Sequence, residues 1–462
     1  LTGSNTILQT EVDWQDGGEL VAQGDLDGFT TIFGNRKTLT IDGGSYTAIT
    51  HTLGHDGVDN TLSVINGGSV SVDDLRVGFA NDNTLSIGGT NSTVNVASEL
   101  HVGSEGDNNQ LLVNALGKID SDVAYVGRGE DADSNEAIVS GNDALWTTRI
   151  LHVGNITTSV VDGVERYATN QNNRVAVSNG GRIETDALTI AGGNTFEINA
   201  DGTLRMIGDF DLLPESEFKW NSDGNLSVGG NLTGITNLAD GRVLTLDGAG
   251  AEWNEAAGTN MLISGGAMLN STNGGLVRAD NLDVLEDGTS VNVASNGWLF
   301  VGDAVETNLP GSVEGGLVVA ADSGAELTVY SNALVSVDGG LYIGISTNYI
   351  SSVITTNIPA TTNFVTNVVF KSGTVVAENG GTISVESLMI ANTNSTFNLN
   401  EEGVLAVSGD FDMALDGFNW NSGGHLSVGG NLTGDLDGTN LALTLDGGSW
   451  DVGTNDLYIG KN

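Results

Sequence analysis

The run Asn60-Thr61-Leu62-Ser63-Val64-Ile65-Asn66-Gly67-Gly68-Ser69-Val70-Ser71-Val72-Asp73-Asp74-Leu75-Arg76-Val77-Gly78 decides the fold. Leu62 and Val64 alternate with polar neighbours, as do Val70 and Val72, then Leu75 and Val77. Period-two alternation of aliphatic and β-branched residues marks strands with one buried face. Asn66-Gly67-Gly68 and Asp73-Asp74 fill the gaps. Those residue types accept the left-handed backbone that tight corners need. The run therefore reads as three short strands around two corners. Leu85, Ile87, Val94, Val96, Leu100 and Val102 repeat the pattern in the next stretch.

The closing phrase recurs as Leu75-Arg76-Val77-Gly78, Leu100-His101-Val102-Gly103, Ala124-Tyr125-Val126-Gly127 and Leu151-His152-Val153-Gly154. Its spacing, about 25 residues, is a coil length for a solenoid. Related phrases stand at Leu188-Thr189-Ile190-Ala191, Leu341-Tyr342-Ile343-Gly344, Leu388-Met389-Ile390-Ala391 and Leu457-Tyr458-Ile459-Gly460. Three strands cannot bury their own apolar face, but stacked coils can, each strand pairing in parallel with its equivalent about 4.8 Å away. Helical periodicity is absent. The expected fold is all-β: a right-handed parallel β-helix, or β-solenoid. Its handedness follows from the general crossover rule.

A longer repeat overlies the short one. Trp14-Gln15-Asp16-Gly17-Gly18-Glu19-Leu20 matches Trp220-Asn221-Ser222-Asp223-Gly224-Asn225-Leu226 and Trp420-Asn421-Ser422-Gly423-Gly424-His425-Leu426. Each copy closes on a shared phrase: Leu39-Thr40-Ile41-Asp42-Gly43, Leu244-Thr245-Leu246-Asp247-Gly248 and Leu443-Thr444-Leu445-Asp446-Gly447. This predicts one continuous solenoid over residues 1–462, with super-repeats of about 200 residues starting near 14, 220 and 420. Because the third copy has barely begun, a longer parent chain is expected. Insertions at 155–173 and 345–367 occupy equivalent places. Insertions in solenoids map to loops on one side, often the binding side.

Composition narrows the class. The 462 residues include 67 Gly, 3 Pro and no Cys, with 39% hydrophobic and 6% aromatic residues. That suits a narrow interior of Val, Leu and Ile, in a rod on the order of 90 Å long. No disulfide framework or thiolate metal site is available. No leader and no run of apolar residues long enough to cross a bilayer is visible. The net charge of −44, from 59 acidic and 15 basic residues, keeps such a surface soluble and argues against nucleic acid or an anionic membrane as partners. It favours divalent cations or a saline medium.

The Gly-Gly-rich units with Leu-x-Val-Gly endings resemble the β-strand repeats of bacterial autotransporter passengers and related giant surface proteins. The resemblance covers most of the chain and implies an extracellular parallel β-helix used as an adhesin, stalk or surface coat.

Acidic pairs stand at Asp25/Asp27, Asp209/Asp211 and Asp410/Asp412. Alternate residues of a strand share a face, so each pair offers oxygen ligands to one Ca²⁺, the one cofactor expected. The competing reading is an exposed acidic turn. Repetition argues against a catalytic role, since an active site appears once. Arg76, His101, Tyr125 and His152 share one repeat position and are expected to form an outward ladder. His51 and His55 lie close enough to share a ligand if their loop folds back. Trp14, Trp220 and Trp420 are expected to pack at corners. Glycosylation sequons at Asn91, Asn155, Asn225, Asn231, Asn270, Asn394 and Asn431 arise readily in so Asn- and Thr-rich a chain.

The expected function is that of a structural protein at a bacterial cell surface, forming a filament, sheath or surface layer by head-to-tail addition of copies. The alternative is a rod-like adhesin that binds cell-surface glycans or cell partners through its side loops. A polysaccharide-active enzyme, the third class with this fold, needs one clustered groove of Asp, Arg and Lys. The 15 basic residues are scattered, so no enzymatic activity is expected.

Overall fold

The computed structural model of the chain describes residues 3, 5–6, 14–27, 30–155, 158–161, 164–167, 170–212, 217–254, 260–302, 317–320, 324–343, 345–350, 365–370, 372–390, 394–434, 440–446 and 448–451. The strand-like phrase expected at residues 457–460 and the Thr/Asn-rich stretch 355–363 lie outside these. The chain forms two compact units, Leu1–Gly230 and Asn231–Asn462. Among the described residues there is no helix, and apart from two hairpins the strands pair in parallel. Each unit is a parallel β-solenoid, the fold expected from the sequence.

In the first unit one sheet stacks Glu19–Ala22, Thr38–Asp42, Thr61–Ile65, Thr84–Ile87, Gln110–Val113, Glu136–Ser140, Arg174–Ser178, Thr195–Ile198 and Phe218–Trp220. A second sheet carries the longer strands Ser45–Leu53, Ser69–Val77, Thr93–Val102, Lys118–Val126, Leu145–Val153 and Arg182–Ile190. These longer strands correct the three-strand reading: the second and third expected strands run on as one. Ser69–Val77 buries Val70 and Val72, turns two residues outward at Asp73 and Asp74, then buries Leu75 and Val77. The pairing slips by a residue between Val96 and Glu99 in the next coil. Two successive outward residues bend the chain, and the ladder is interrupted there and resumes beyond them.

In the second unit the three strands stay separate in places, as in Met268–Thr272, Leu276–Ala279 and Asn281–Leu285. They fuse at Leu334–Ile343, whose halves pair with Trp298–Val301 and with Leu317–Val319.

The core is a set of columns. Tyr46, Val70, Val94, Ile119, Trp146, Ile183, Leu204 and Leu226 are register partners in turn. All eight are buried. Fully burying one such aliphatic side chain is worth about 2 kcal/mol, so the stacking itself supplies the cohesion that a lone coil lacks.

One corner explains the Leu-x-Val-Gly phrase. Gly78 has φ +82°, and a Cβ there would fall on the Asn109 carboxamide. Gly54, Gly103, Gly127 and Gly154 stand in the same relation to Asn83, Asn135, Asn173 and Asn194. The asparagines form a buried ladder. Asn83 donates from both backbone N (2.9 Å) and Nδ2 (3.2 Å) to Oδ1 of Asn109. Asn109 does the same to Asn135 at 2.8 and 3.0 Å. The pattern begins at Asn60 and runs through Asn135 and Asn173 to Asn194. A buried amide must find partners, and here each finds them in the neighbouring coil.

Candidate functional site

The three acidic pairs sit alike. In Leu26–Asp27, Phe210–Asp211 and Phe411–Asp412 the apolar residue is buried and both flanking aspartates are exposed. Their carboxylates serve the fold. Asp25 accepts from Ser45 Oγ at 2.5 Å, and Asp27 accepts from Thr47 Oγ1. Asp410 accepts from the backbone N of Asn431 at 2.6 Å, and Asp412 from that of Ala414 at 3.0 Å. Among the described residues no group of three or more His, Asp or Glu converges as a metal site would require.

The tryptophans pack. Trp220 is 6% exposed, and its Nε1 donates to the Gly224 carbonyl at 2.9 Å. Trp420 Nε1 donates to Gly424 at 3.0 Å. Trp14 lies against Gly18, where a Cβ would meet the indole. The Trp-x-x-x-Gly spacing is thus a closed corner: the indole covers the glycine and bonds its carbonyl or lies on its Cα.

The outward ladder forms in the expected register, Arg76–His101–Tyr125–His152, but it is not an open stripe. The rings stack. His101 and Tyr125 centroids are 5.2 Å apart at 7°, and Tyr125 and His152 are 5.0 Å apart at 23°. Arg128 lays its guanidinium 4.7 Å from the Tyr125 centroid. The same guanidinium donates to Glu99 Oε2 at 3.0 Å, and that carboxylate lies 3.0 Å from His101 Nε2. The Tyr125 stack, with Glu99 and Arg128 closing over its Nε2, leaves His101 with no exposed surface, although its strand position points outward. Burial first, then the Arg128 charge, lowers its pKa to about 4, against the Glu99 hydrogen bond. His152 is lowered by the same two causes. Burial works to raise the Glu99 carboxyl, but Arg128 and His101 together hold it down. Nδ1 of both His101 and His152 is buried without a hydrogen bond.

His51 and His55 do not share a ligand. They face opposite ways. His51 is inside, fully buried, with Nδ1 2.7 Å from the Tyr46 hydroxyl. Burial raises the Tyr46 phenol, which therefore stays protonated. His55 is outside, beyond Gly54, with its ring stacked 5.2 Å from Phe79 at 6° and tilted 5.5 Å from Phe33. Sequence reading missed this three-ring ridge. Its signal was available: each ring follows an inward aliphatic residue at the same corner (Ile32, Leu53 and Val77).

The described parts of the two insertions are antiparallel hairpins. Thr158–Val161 pairs with Val164–Tyr167, and Ile345–Ile350 pairs with Val365–Phe370. Each emerges after a Leu-x-Val-Gly or Leu-x-Ile-Gly phrase.

Neither a protein-family profile nor a curated protein matches the chain. Among solved structures it is similar to a TibC-catalysed, hyper-glycosylated TibA fragment, at 13% identity over 91% of this chain and 98% of that one. The TM-score is 0.20, too low for shape or function to be carried across. Among the described residues no helix is long and apolar enough to cross a membrane.

Proposed function

We propose that the chain is part of an extracellular structural solenoid of a bacterial surface, assembled coil on coil into a filament, sheath or layer, with no chemistry on a substrate. The observation that supports this reading is coil-on-coil stacking. Leu39 and Ile41, and Leu244 and Leu246, have no exposed surface, and each pair is covered by a register-matched strand on its far side. Coils held together this way need a neighbour on each side, and a heterologous contact that does not close gives a filament. The acidic pairs are the proposed calcium positions. Ca²⁺ takes six to eight oxygens, so two aspartates would need water or a second copy to complete the shell.

Electron microscopy of native material, with and without a calcium chelator, tests this. Filaments with an axial repeat are expected, and their loss on chelation would tie Ca²⁺ to the acidic pairs. A particle that stays monomeric across concentration and calcium defeats the filament reading.

The second reading, a rod-like adhesin, is favoured by the two hairpins and by the exposed ring ridge. Deleting residues 345–367 should abolish cell binding without shortening the particle.

A further inference from the structure

The corner that follows each Leu-x-Val-Gly phrase carries a ladder of its own. Coil by coil it presents His55, Phe79, Ser104, Arg128 and Asn155. At one end it is aromatic: Phe33 is 45% exposed, the His55 side chain 44% and Phe79 36%. Their rings form one continuous ridge. At Phe79 the ridge opens into a groove lined also by Arg76, Ser104, Glu105, Arg128, Asp131 and Asn155. Asn155 stands immediately before the first hairpin.

Arg36 and Arg76 make no ion pair within 4.0 Å among the described residues, and Arg76 lines this groove. Arg128, Arg149, Arg174, Arg182, Arg205, Arg242 and Arg278 each lie within 4.0 Å of a carboxylate. Arg76 pairs with none among the described residues, and its Nε is buried with no acceptor. A guanidinium left without an acid partner, in a chain of net charge −44, is a donor awaiting an acceptor. The groove also carries acceptors, the Glu105, Glu130 and Asp131 carboxylates and the Asn155 carboxamide. Flat rings beside a mixed set of donors and acceptors match the two faces of a sugar: C–H groups pack on the ring, and hydroxyls bond the polar side chains. The carboxylates at least balance the guanidiniums here, and the surrounding surface is strongly acidic. Anionic chains, nucleic acid included, are therefore disfavoured.

We propose that this groove binds a neutral saccharide chain, with Phe79 and its neighbouring rings as the platform and Arg76 as the principal hydrogen-bond donor. The proposal deepens the adhesin reading and rests on it.

The test is a panel of neutral oligosaccharides, built on hexose and N-acetylhexosamine, beside sialylated and sulfated counterparts, presented to the full chain. Phe79→Ala and Arg76→Gln are compared with wild type, and circular dichroism establishes that each variant is folded. The expected result is binding of a neutral member, weakened at least tenfold by each substitution, with no gain from sialic acid or sulfate. Binding of neither neutral nor acidic saccharides overturns the proposal. So does preference for the acidic set, or binding untouched by both substitutions. A cell-binding assay separates the two levels. Adhesion that survives both groove variants but is lost on deleting residues 345–367 leaves the adhesin reading standing and the groove refuted. Adhesion abolished by protease treatment of the target cell, but not by glycosidase, refutes the saccharide as well.

Discussion

The two units treat the same corner differently. In the first, Asn173 precedes Arg174-Val175 and Asn194 precedes Thr195-Phe196, and Asn173 donates from its backbone N and its Nδ2 to Asn194 Oδ1, both at 2.9 Å. In the second, the matching stretches are Gly373-Thr374-Val375 and Ser395-Thr396-Phe397. Ser395 is buried, like Asn194, but a hydroxyl has a single donor where a carboxamide has two donors and a separate acceptor. At Gly373 a Cβ would strike the Val319 carbonyl, so no side chain fits at all. The strands on either side still pair in parallel. Strand stacking therefore suffices to build a coil, and the asparagine ladder is an addition that stiffens one set of corners.

That contrast can be broken most severely at the glycines. Gly103→Val puts a β-branched side chain where φ is +74° and where the Asn135 carboxamide lies. We expect a loss of about 4 kcal/mol or more, read as a collapse of the urea midpoint or as failure of the first unit to fold. Next comes the ladder itself. Asn109→Ala strips Asn83 of the acceptor for its N and Nδ2 and removes the Nδ2 donor to Asn135, leaving only the backbone N to make that bond. A loss of about 3 kcal/mol is expected. Ser395→Ala should cost about 1 kcal/mol. Equal losses at the two sites would show that the ladder adds nothing.

Acid sharpens the same comparison. In the unfolded chain an imidazole titrates near 6.5, and in the fold His101 is held to about 4. Between those values the unfolded chain binds a proton that the native one refuses. Stability is full above about pH 6.5 and falls as the pH drops towards 4, by roughly 3 kcal/mol from this residue. Hydrogen exchange should speed up in the coils around residues 76–152 before those of the second unit, and His101→Gln should remove most of the difference. The smallest effect lies on the surface. Arg149 and Asp122 make a two-pronged pair at 2.7 and 3.1 Å, but both are about half exposed. Arg149→Ala should leave the midpoint unmoved.

How much of this was legible follows from the same residues. Alternation such as Leu62/Val64 has one reading, and it yielded the strands, their parallel stacking and the inward columns. The ladder escaped because asparagine is an ordinary turn former, so Asn60, Asn83, Asn109 and Asn135 read as punctuation. Their constant place, immediately before the first strand of each coil, was the missed signal. The outward ladder was legible in register and not in burial, since ring stacking between coils is invisible to alternation along a strand. His51 misled for a related reason: its register partner is the inward Leu75, and the Tyr46 hydroxyl meets its Nδ1 inside.

The ladder also bears on how such a chain changes length over evolutionary time. Every amide from Asn60 to Asn173 donates toward the following coil, so successive links are chemically interchangeable. A genetic deletion or duplication of one whole coil, from one asparagine to the next, would rejoin the same donor to the same acceptor. A cut of any other size would strand a buried amide. Selection acting on stability alone would then favour changes in whole-coil steps, and the number of coils can drift while the corner chemistry stays constant.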